Sequence, residues 1–226
     1  MQKFRQRVAS APLPIFPVNL HSSLPSLTHT VNIVCIASGR GSNVAALLRA
    51  IDDRRVAGRV VLVISNNSGA EVLSVARAAG IPTMHLSEKQ FAQRSDFALR
   101  FVETLHTAHA DLIVLAGYLR KLPDEVCAAY RGRIINIHPA LLPAFGGEGM
   151  YGIHVHEAVL ASGSKESGAT VHYVDEVYDH GKIVLQKRVP VMLNDTPETL
   201  AARVLECEHN ILVEAVSQIC SAKQIG

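Results

Sequence analysis

From Val31 onward, short runs rich in β-branched residues alternate with stretches of helical period, and this alternation restricts the fold more than any other feature of the chain. Asn32 to Ala37 reads as a strand, Ser42 to Arg55 as a helix and Val60 to Ser65 as a second strand, which is the pattern of a βαβ unit. Helical period returns at Ala70 to Ala79 and at Ser95 to His109, each followed by a strand candidate, Thr83 to Leu86 and Leu112 to Ala116. A helix near Pro123 to Tyr130 leads into a strand at Ile134 to Ile137. Leu112-Ile-Val-Leu-Ala116 is apolar without a break, as a strand covered by helices on both faces must be. The texture changes after Pro139: a glycine-rich stretch, Gly146 to Gly152, precedes a short helix at His154 to Ser162. Two strand-like runs, Ala169 to Val174 and Ile183 to Val191, then flank an acidic loop. Asp195-Thr-Pro-Glu198 opens a final amphipathic helix from Thr196 to about Ile219. The expectation is an α/β fold: a mostly parallel sheet flanked by helices, extended by a C-terminal β-hairpin and closed by a long final helix.

Residues 1–30 stand apart. They hold four of the ten prolines, Lys3, Arg5 and Arg7, no acid and no periodicity, and read as an unfolded or targeting tail before a single domain over residues 31–226. Formal net charge is +2 for the whole chain, and setting the tail aside leaves 19 basic against 20 acidic side chains. No nucleic-acid surface is expected from that balance. The longest apolar runs are of strand length, well short of the roughly 20 residues that cross a bilayer, so no membrane partner is expected either. Cys35, Cys127, Cys207 and Cys220 are scattered, without CxxC spacing, and fit a reducing cytoplasm.

Three segments combine residue types with chemistry. Ser38-Gly-Arg-Gly-Ser-Asn43 sits where a strand runs into a helix, where glycines permit a tight turn and helix-start amides attract an anion. A dinucleotide fingerprint would need glycine where Val44 stands and an acid where Ser65-Asn66-Asn67 stands; a Walker loop would need Lys-Ser or Lys-Thr. A phosphate monoester site and a plain turn capped by Ser42 remain. The second segment, Asn136-Ile-His-Pro-Ala-Leu-Leu-Pro143, ends a strand, and residues two apart on a strand share a face, so Asn136 and His138 address one spot. An amide donor beside an imidazole suits acyl transfer. The third, Asp175-Glu-Val-Tyr-Asp-His-Gly-Lys182, is a solvated turn or a source of a carboxylate for His138. His154-Val-His156 has metal-pair spacing but lacks a nearby carboxylate or cysteine at zinc spacing. These histidines are expected at a helix start or lining substrate, with no metal.

With these segments, Leu115-Ala-Gly-Tyr-Leu-Arg120, Gly168-Ala-Thr-Val-His172, Gln186-Lys-Arg-Val-Pro-Val191 and Arg203 to His209 make the chain resemble the phosphoribosylglycinamide formyltransferase family over roughly 185 residues from Val31. The resemblance implies a Rossmann-like fold and transfer of a formyl group from 10-formyltetrahydrofolate, as co-substrate, to the amine of phosphoribosylglycinamide in purine synthesis, without a metal. It implies that Gly41, Ser42 and Asn43 bind the ribonucleotide phosphate with Arg94, and that Glu208 contacts the ribose. It implies that folate lies across Leu119, Arg120, Lys121 and Leu122 and the loop from Asp175 to Asp179, and that Asn136, His138 and Asp179 are the catalytic trio, with His138 protonated. On this reading residues 31–138 form the nucleotide-binding part and 139–226 the folate and catalytic part. The partners are small molecules, and the working unit is a monomer or homodimer.

The segment from Pro143 to His156 is longer than in shorter family forms, through Phe145-Gly-Gly-Glu-Gly-Met-Tyr-Gly152, and the first 30 residues have no counterpart in the resemblance. Two enzymes of related chemistry compete. A formyltetrahydrofolate deformylase would be expected to add an N-terminal domain of about 80 residues, and a methionyl-tRNA formyltransferase a C-terminal RNA-binding domain. A binder without catalysis would not need Asn136, His138 and Asp179 together.

Overall fold

The computed structural model describes residues 30–225, so the tail expected over residues 1–30 lies outside the described residues but for its last position. Strands β1 (Val31–Ile36), β2 (Gly58–Ser65), β3 (Thr83–His85), β4 (Leu112–Leu115) and β5 (Ile134–His138) run parallel. Strands β6 (Glu166–Tyr173) and β7 (Ile183–Pro190) extend the sheet antiparallel, in the order β3-β2-β1-β4-β5-β6-β7. The sheet therefore reverses its direction of growth between β1 and β4, and the ends of those strands leave a crevice of the kind in which open α/β sheets bind ligands.

β1 and β4 are buried throughout, as their unbroken apolar sequences require. Alternate side chains feed two cores. Val31, Ile33 and Cys35 pack with α1 (Ser42–Asp52), α2 (Glu71–Ala78), α5 (Ile153–Ala161) and α6 (Pro197–Ile225). Val34 and Ile36 pack on the other face with α3 (Arg94–Thr107) and α4 (Asp124–Ala129), through Phe97, Phe101, Leu105 and Val126. The period of two along the strands divides the chain between these layers.

α6 buries Leu200, Val204, Cys207, Ile211, Ala215 and Val216, a stripe at helical spacing that lies against β6, β7 and α1. Its start is tied down as Asp195-Thr-Pro-Glu198 suggests: Pro197 occupies the first helical position, and Arg203 grips Asp195 through two bonds of 2.6 and 2.8 Å. The helix continues to Ile225 rather than stopping near Ile219, and Cys220 on the added turns is wholly buried. A short 3₁₀ turn, Glu88–Gln90, has no counterpart in the sequence expectation; it is closed by reciprocal Ser87 and Gln90 contacts.

Candidate active site

The C-terminal ends of β1, β4 and β5 open into one cleft of about 1000 Å³. Every residue expected to form a site lines it: Gly41, Ser42, Asn43, Arg94, Leu119, Arg120, Lys121, Leu122, Asn136, His138, Asp175, Asp179 and Glu208. Ser38 holds the rim together. Its hydroxyl donates to Asn66 Oδ1 at 2.6 Å and accepts the Leu119 N–H at 2.9 Å, joining the ends of β1 and β2 to the strip that begins at Leu119.

At one end, Gly41 and not Ser42 is the N-terminal cap of α1, and no side chain caps the helix. The first intrahelical bond runs from Ala45 N–H to the Gly41 carbonyl, so the amides of residues 42–44 point out of the helix end, where an anion is favoured. Gly41 is left-handed at φ 79°, and a Cβ there would come within 2.5 Å of Val72 Cγ2. The glycine is thus demanded by conformation and by the helix behind it.

Asn43 differs from a simple phosphate donor. Its Nδ2 donates to Glu208 Oε2 at 2.7 Å, both residues are buried, and Asn43 Oδ1 has no partner. Burial pushes the Glu208 carboxyl up to about 7, against the Asn43 hydrogen bond. The ordinary value of 4.5 applies to the unfolded chain, so between that value and about 7 the native state holds a proton that the unfolded state has released. Stability should fall as pH rises through this window and level off above it. Glu208→Gln cannot titrate, and should gain stability over the native protein from pH 5 to pH 8. The gain has an upper bound on the order of 3 kcal/mol, from about 2 pH units between pH 5 and about 7 at ~1.4 kcal/mol each. Urea unfolding of both proteins at the two pH values checks this; equal pH slopes would refute it.

At the other end, Asn136 and His138 leave β5 on the same side. His138 Nε2 donates to the Phe145 carbonyl at 2.8 Å, and Nδ1 lies 3.6 Å from Asp179 Oδ2. The Gly147 N–H donates to the same carboxylate oxygen at 2.9 Å. The glycine-rich segment therefore supplies backbone contacts to both members of the pair. Gly146 between them has no room for a side chain, since a Cβ would meet Leu142 Cδ2 at 2.5 Å and Asp179 Cβ at 3.1 Å.

Burial pulls His138 below its ordinary range, against the upward pull of Asp179 and of the Phe145 carbonyl. The protonated ring expected from the resemblance is therefore not the resting form near neutral pH. Burial pushes the Asp179 carboxyl up, but the neighbouring His172 ring, His138 and the Gly147 N–H together hold it below the usual carboxylate range. Asp179 rests ionised.

Several expected contacts are committed elsewhere. Lys121 is paired with Asp124 at 2.9 Å, Asp175 accepts the Val177 N–H at 2.9 Å within its own loop, and Glu176 is bound by Arg131. Lys121 and Asp175 line the cleft with these contacts already made, whereas Glu176 stands outside its lining. His154 stands at the start of α5, paired with Glu157 at 3.0 Å, while His156 is buried on the cleft wall. Among the described residues, no three His, Cys, Asp or Glu side chains converge as a metal site requires.

The sequence reading missed His172. It lies on β6 directly opposite Asn136, with Nε2 3.2 Å from Asn136 Nδ2 and 3.5 Å from Asp179 Oδ1. Its place in Gly168-Ala-Thr-Val-His172 on a strand is visible in the sequence, but the register that sets it beside Asn136 is not.

A half-buried amide and carboxylate flank a buried imidazole at one end of a cleft whose other end is an uncapped helix start suited to an anion, and this arrangement fits a group-transfer enzyme for an anionic substrate. The chain belongs to the formyl transferase family, whose model matches residues 31–216. It is similar to the protein of Arabidopsis thaliana called phosphoribosylglycinamide formyltransferase, chloroplastic, with 41% identity covering 97% of this chain and 80% of that one. This alignment reaches into the first 30 residues, for which the resemblance offered no counterpart. The fold matches the crystal structure of glycinamide ribonucleotide transformylase 1 from Symbiobacterium toebii, with a TM-score of 0.81, 37% identity, and coverage of 85% of this chain and 89% of that one. A formyltetrahydrofolate deformylase from Pseudomonas syringae shares the fold at a TM-score of 0.77 with 26% identity, covering 86% of this chain and 62% of that one.

Proposed function

We propose that the cleft transfers the formyl group of 10-formyltetrahydrofolate to the amine of phosphoribosylglycinamide, giving formylglycinamide ribonucleotide and tetrahydrofolate in purine synthesis. The observation that carries this reading is the single cleft joining the α1 anion site to Asn136, His138 and Asp179. A hydrolase that removes the formyl group to water has no use for the anion site.

The chemistry follows from charge. The amine attacks the formyl carbon on N10, and the tetrahedral species carries a negative oxygen and a positive nitrogen. Asn136 has a second Nδ2–H to offer the oxygen. His138 rests neutral, so the oxyanion itself raises the ring's affinity for a proton as it forms; serving it means sharing the Nε2–H now held by Phe145. Asp179 anchors that ring and relays the amine proton through water to the departing N10. A carboxylate held at low pKa suits an anchor and relay better than a final proton store. Binding both reactants in one cleft supplies the rest of the acceleration by proximity.

Gly41 to Asn43 and Arg94 are assigned to the phosphate, Glu208 to the ribose, and Leu119 to Leu122 with the loop from Asp175 to Asp179 to the folate. The division into a nucleotide part, 31–138, and a folate part, 139–226, is one of labour only: Glu208 of the second bonds Asn43 of the first. The working unit is read as a monomer or homodimer, which sedimentation decides. Among the described residues no helix is long and apolar enough to cross a membrane. The four buried thiols suit a reducing compartment, read as the cytoplasm; the chloroplastic name of the Arabidopsis relative and the basic, acid-free first 30 residues make an organelle the alternative to test by imaging a tagged chain.

The test is folate absorbance with and without glycinamide ribonucleotide. Turnover should require the amine and yield stoichiometric formylglycinamide ribonucleotide. Formylfolate hydrolysis that proceeds equally well without the amine would overturn the assignment.

A further inference from the structure

The two polar neighbours of His172 make opposite demands on one ring nitrogen. His172 Nδ1 lies 2.8 Å from the carbonyl of Tyr173, which can only accept, so Nδ1 bears the hydrogen. Nε2 then faces Asn136 Nδ2 at 3.2 Å and Asp179 Oδ1 at 3.5 Å. The amide donor calls for a bare nitrogen, and the carboxylate for a protonated one. The amide contact is the shorter. Asp179 already accepts the Gly147 N–H at 2.9 Å, and the His172 side chain is only 2% exposed, where an amide donor left unpaired would be costly. With Nε2 bare, the His172 contact brings no hydrogen to Asp179, whose backbone donor is the Gly147 N–H.

We propose that His172 is a positioning residue: as the neutral Nδ1–H tautomer it accepts one hydrogen of the Asn136 amide, so that this amide cannot turn over and its second N–H stays available to the formyl oxygen. An amide turned by half a rotation would set Asn136 Oδ1 against the lone pair of Nε2, which is repulsive, and would show the reacting oxygen an acceptor in place of a donor. Without His172 no other side-chain hydrogen bond of Asn136 among the described residues fixes that choice, since the other hydrogen bonds of the site fall on His138 and Asp179. The orientation is built across the sheet, because Asn136 on β5 and His172 on β6 are partners in the antiparallel register.

The proposal rests on the formyl-transfer reading for its kinetic consequence but not for its chemistry, so two measurements separate them. In the full chain labelled with ¹⁵N-histidine, the His172 signals near neutral pH should show a protonated Nδ1 and a bare Nε2. A protonated Nε2, in either the other tautomer or the imidazolium, overturns the proposal whatever the reaction proves to be. In steady-state kinetics, His172→Ala should lower kcat about ten- to hundredfold with both KM values changed less than about twofold. The same substitution made on Asn136→Ala should cost less than about a further twofold, because the group it orients is gone. His172→Gln, whose amide oxygen can accept the same N–H, should recover part of the loss. Additive losses in the double variant, or a loss confined to KM, would show that His172 only supports the fold. Loss of the expected reaction with the tautomer intact would refute the functional reading and leave the geometry standing.

Discussion

Asp179→Asn should lower kcat by about a hundredfold or more while leaving ribonucleotide affinity nearly unchanged. Asparagine is the right replacement because Asp179 sits at a left-handed φ of 54°, a conformation that Asn tolerates better than most side chains. Its amide oxygen can still accept the Gly147 N–H, so the loop contact survives. What disappears is the negative charge 3.6 Å from His138 Nδ1 and, with it, the proposed relay for the amine proton. His138 is already pulled down by burial, and without Asp179 it loses the first of the influences that hold it up. The phosphate end of the cleft is untouched. Steady-state kinetics with calorimetric titration of each ligand would check the split. A loss of about tenfold or less in a folded protein would move the acid's role to Asp175 or Glu176, although the first is tied into its own loop and the second to Arg131.

Gly41→Ala should be the most disruptive change at the anion end. The added Cβ would lie 2.5 Å from Val72 Cγ2, 2.6 Å from Val72 Cβ and 2.9 Å from Val72 Cα. The last is backbone of α2 and cannot swing aside. Positive φ adds strain of its own, so a destabilisation of about 2–4 kcal/mol is expected. Any relief has to move the start of α1, whose outward amides are the ones assigned to the phosphate. Ribonucleotide affinity should therefore drop at least about tenfold while folate affinity holds. Gly39→Ala is the control for stability: beyond its chain neighbours no atom lies within 4 Å of its would-be Cβ, and it should unfold as the native protein does. Urea unfolding and separate titrations of the two ligands would test the pair. Equal stability and ribonucleotide affinity in Gly41→Ala would show that the turn at α1 does not govern binding.

The expected strands and helices differ from the observed ones mainly at their ends, because boundaries depend on caps and packing that periodicity does not encode. α1 stops at Asp52 rather than Arg55, where Arg54 turns to φ 59°, and α6 runs past Ile219 because Cys220 has a core to enter. The site shows a similar division. Asn136 and His138 share a face because a strand has a period of two, which is a property of the sequence alone. The Ser38 to Asn43 turn is equally local: strand, glycines and helix start occur in one short stretch. Asn43 and Glu208, by contrast, are 165 residues apart and meet only through the packing of α6 on α1.

The sequence by itself determined the α/β alternation, the strands covered on both faces, the glycine turn into α1 and the strand-end pair, since each depends on side-chain period or on neighbours in the chain. Only the tertiary structure decided the rest. The β5–β6 register brought His172 to Asn136, and the path of the glycine-rich segment delivered the Phe145 carbonyl and the Gly147 N–H to His138 and Asp179. Backbone groups are the same at every residue, so no sequence pattern marks which of them will bond. Burial raised Glu208 and lowered His138 because the cost of removing charge from water depends on how much protein surrounds the group, and that is known only once distant segments have packed.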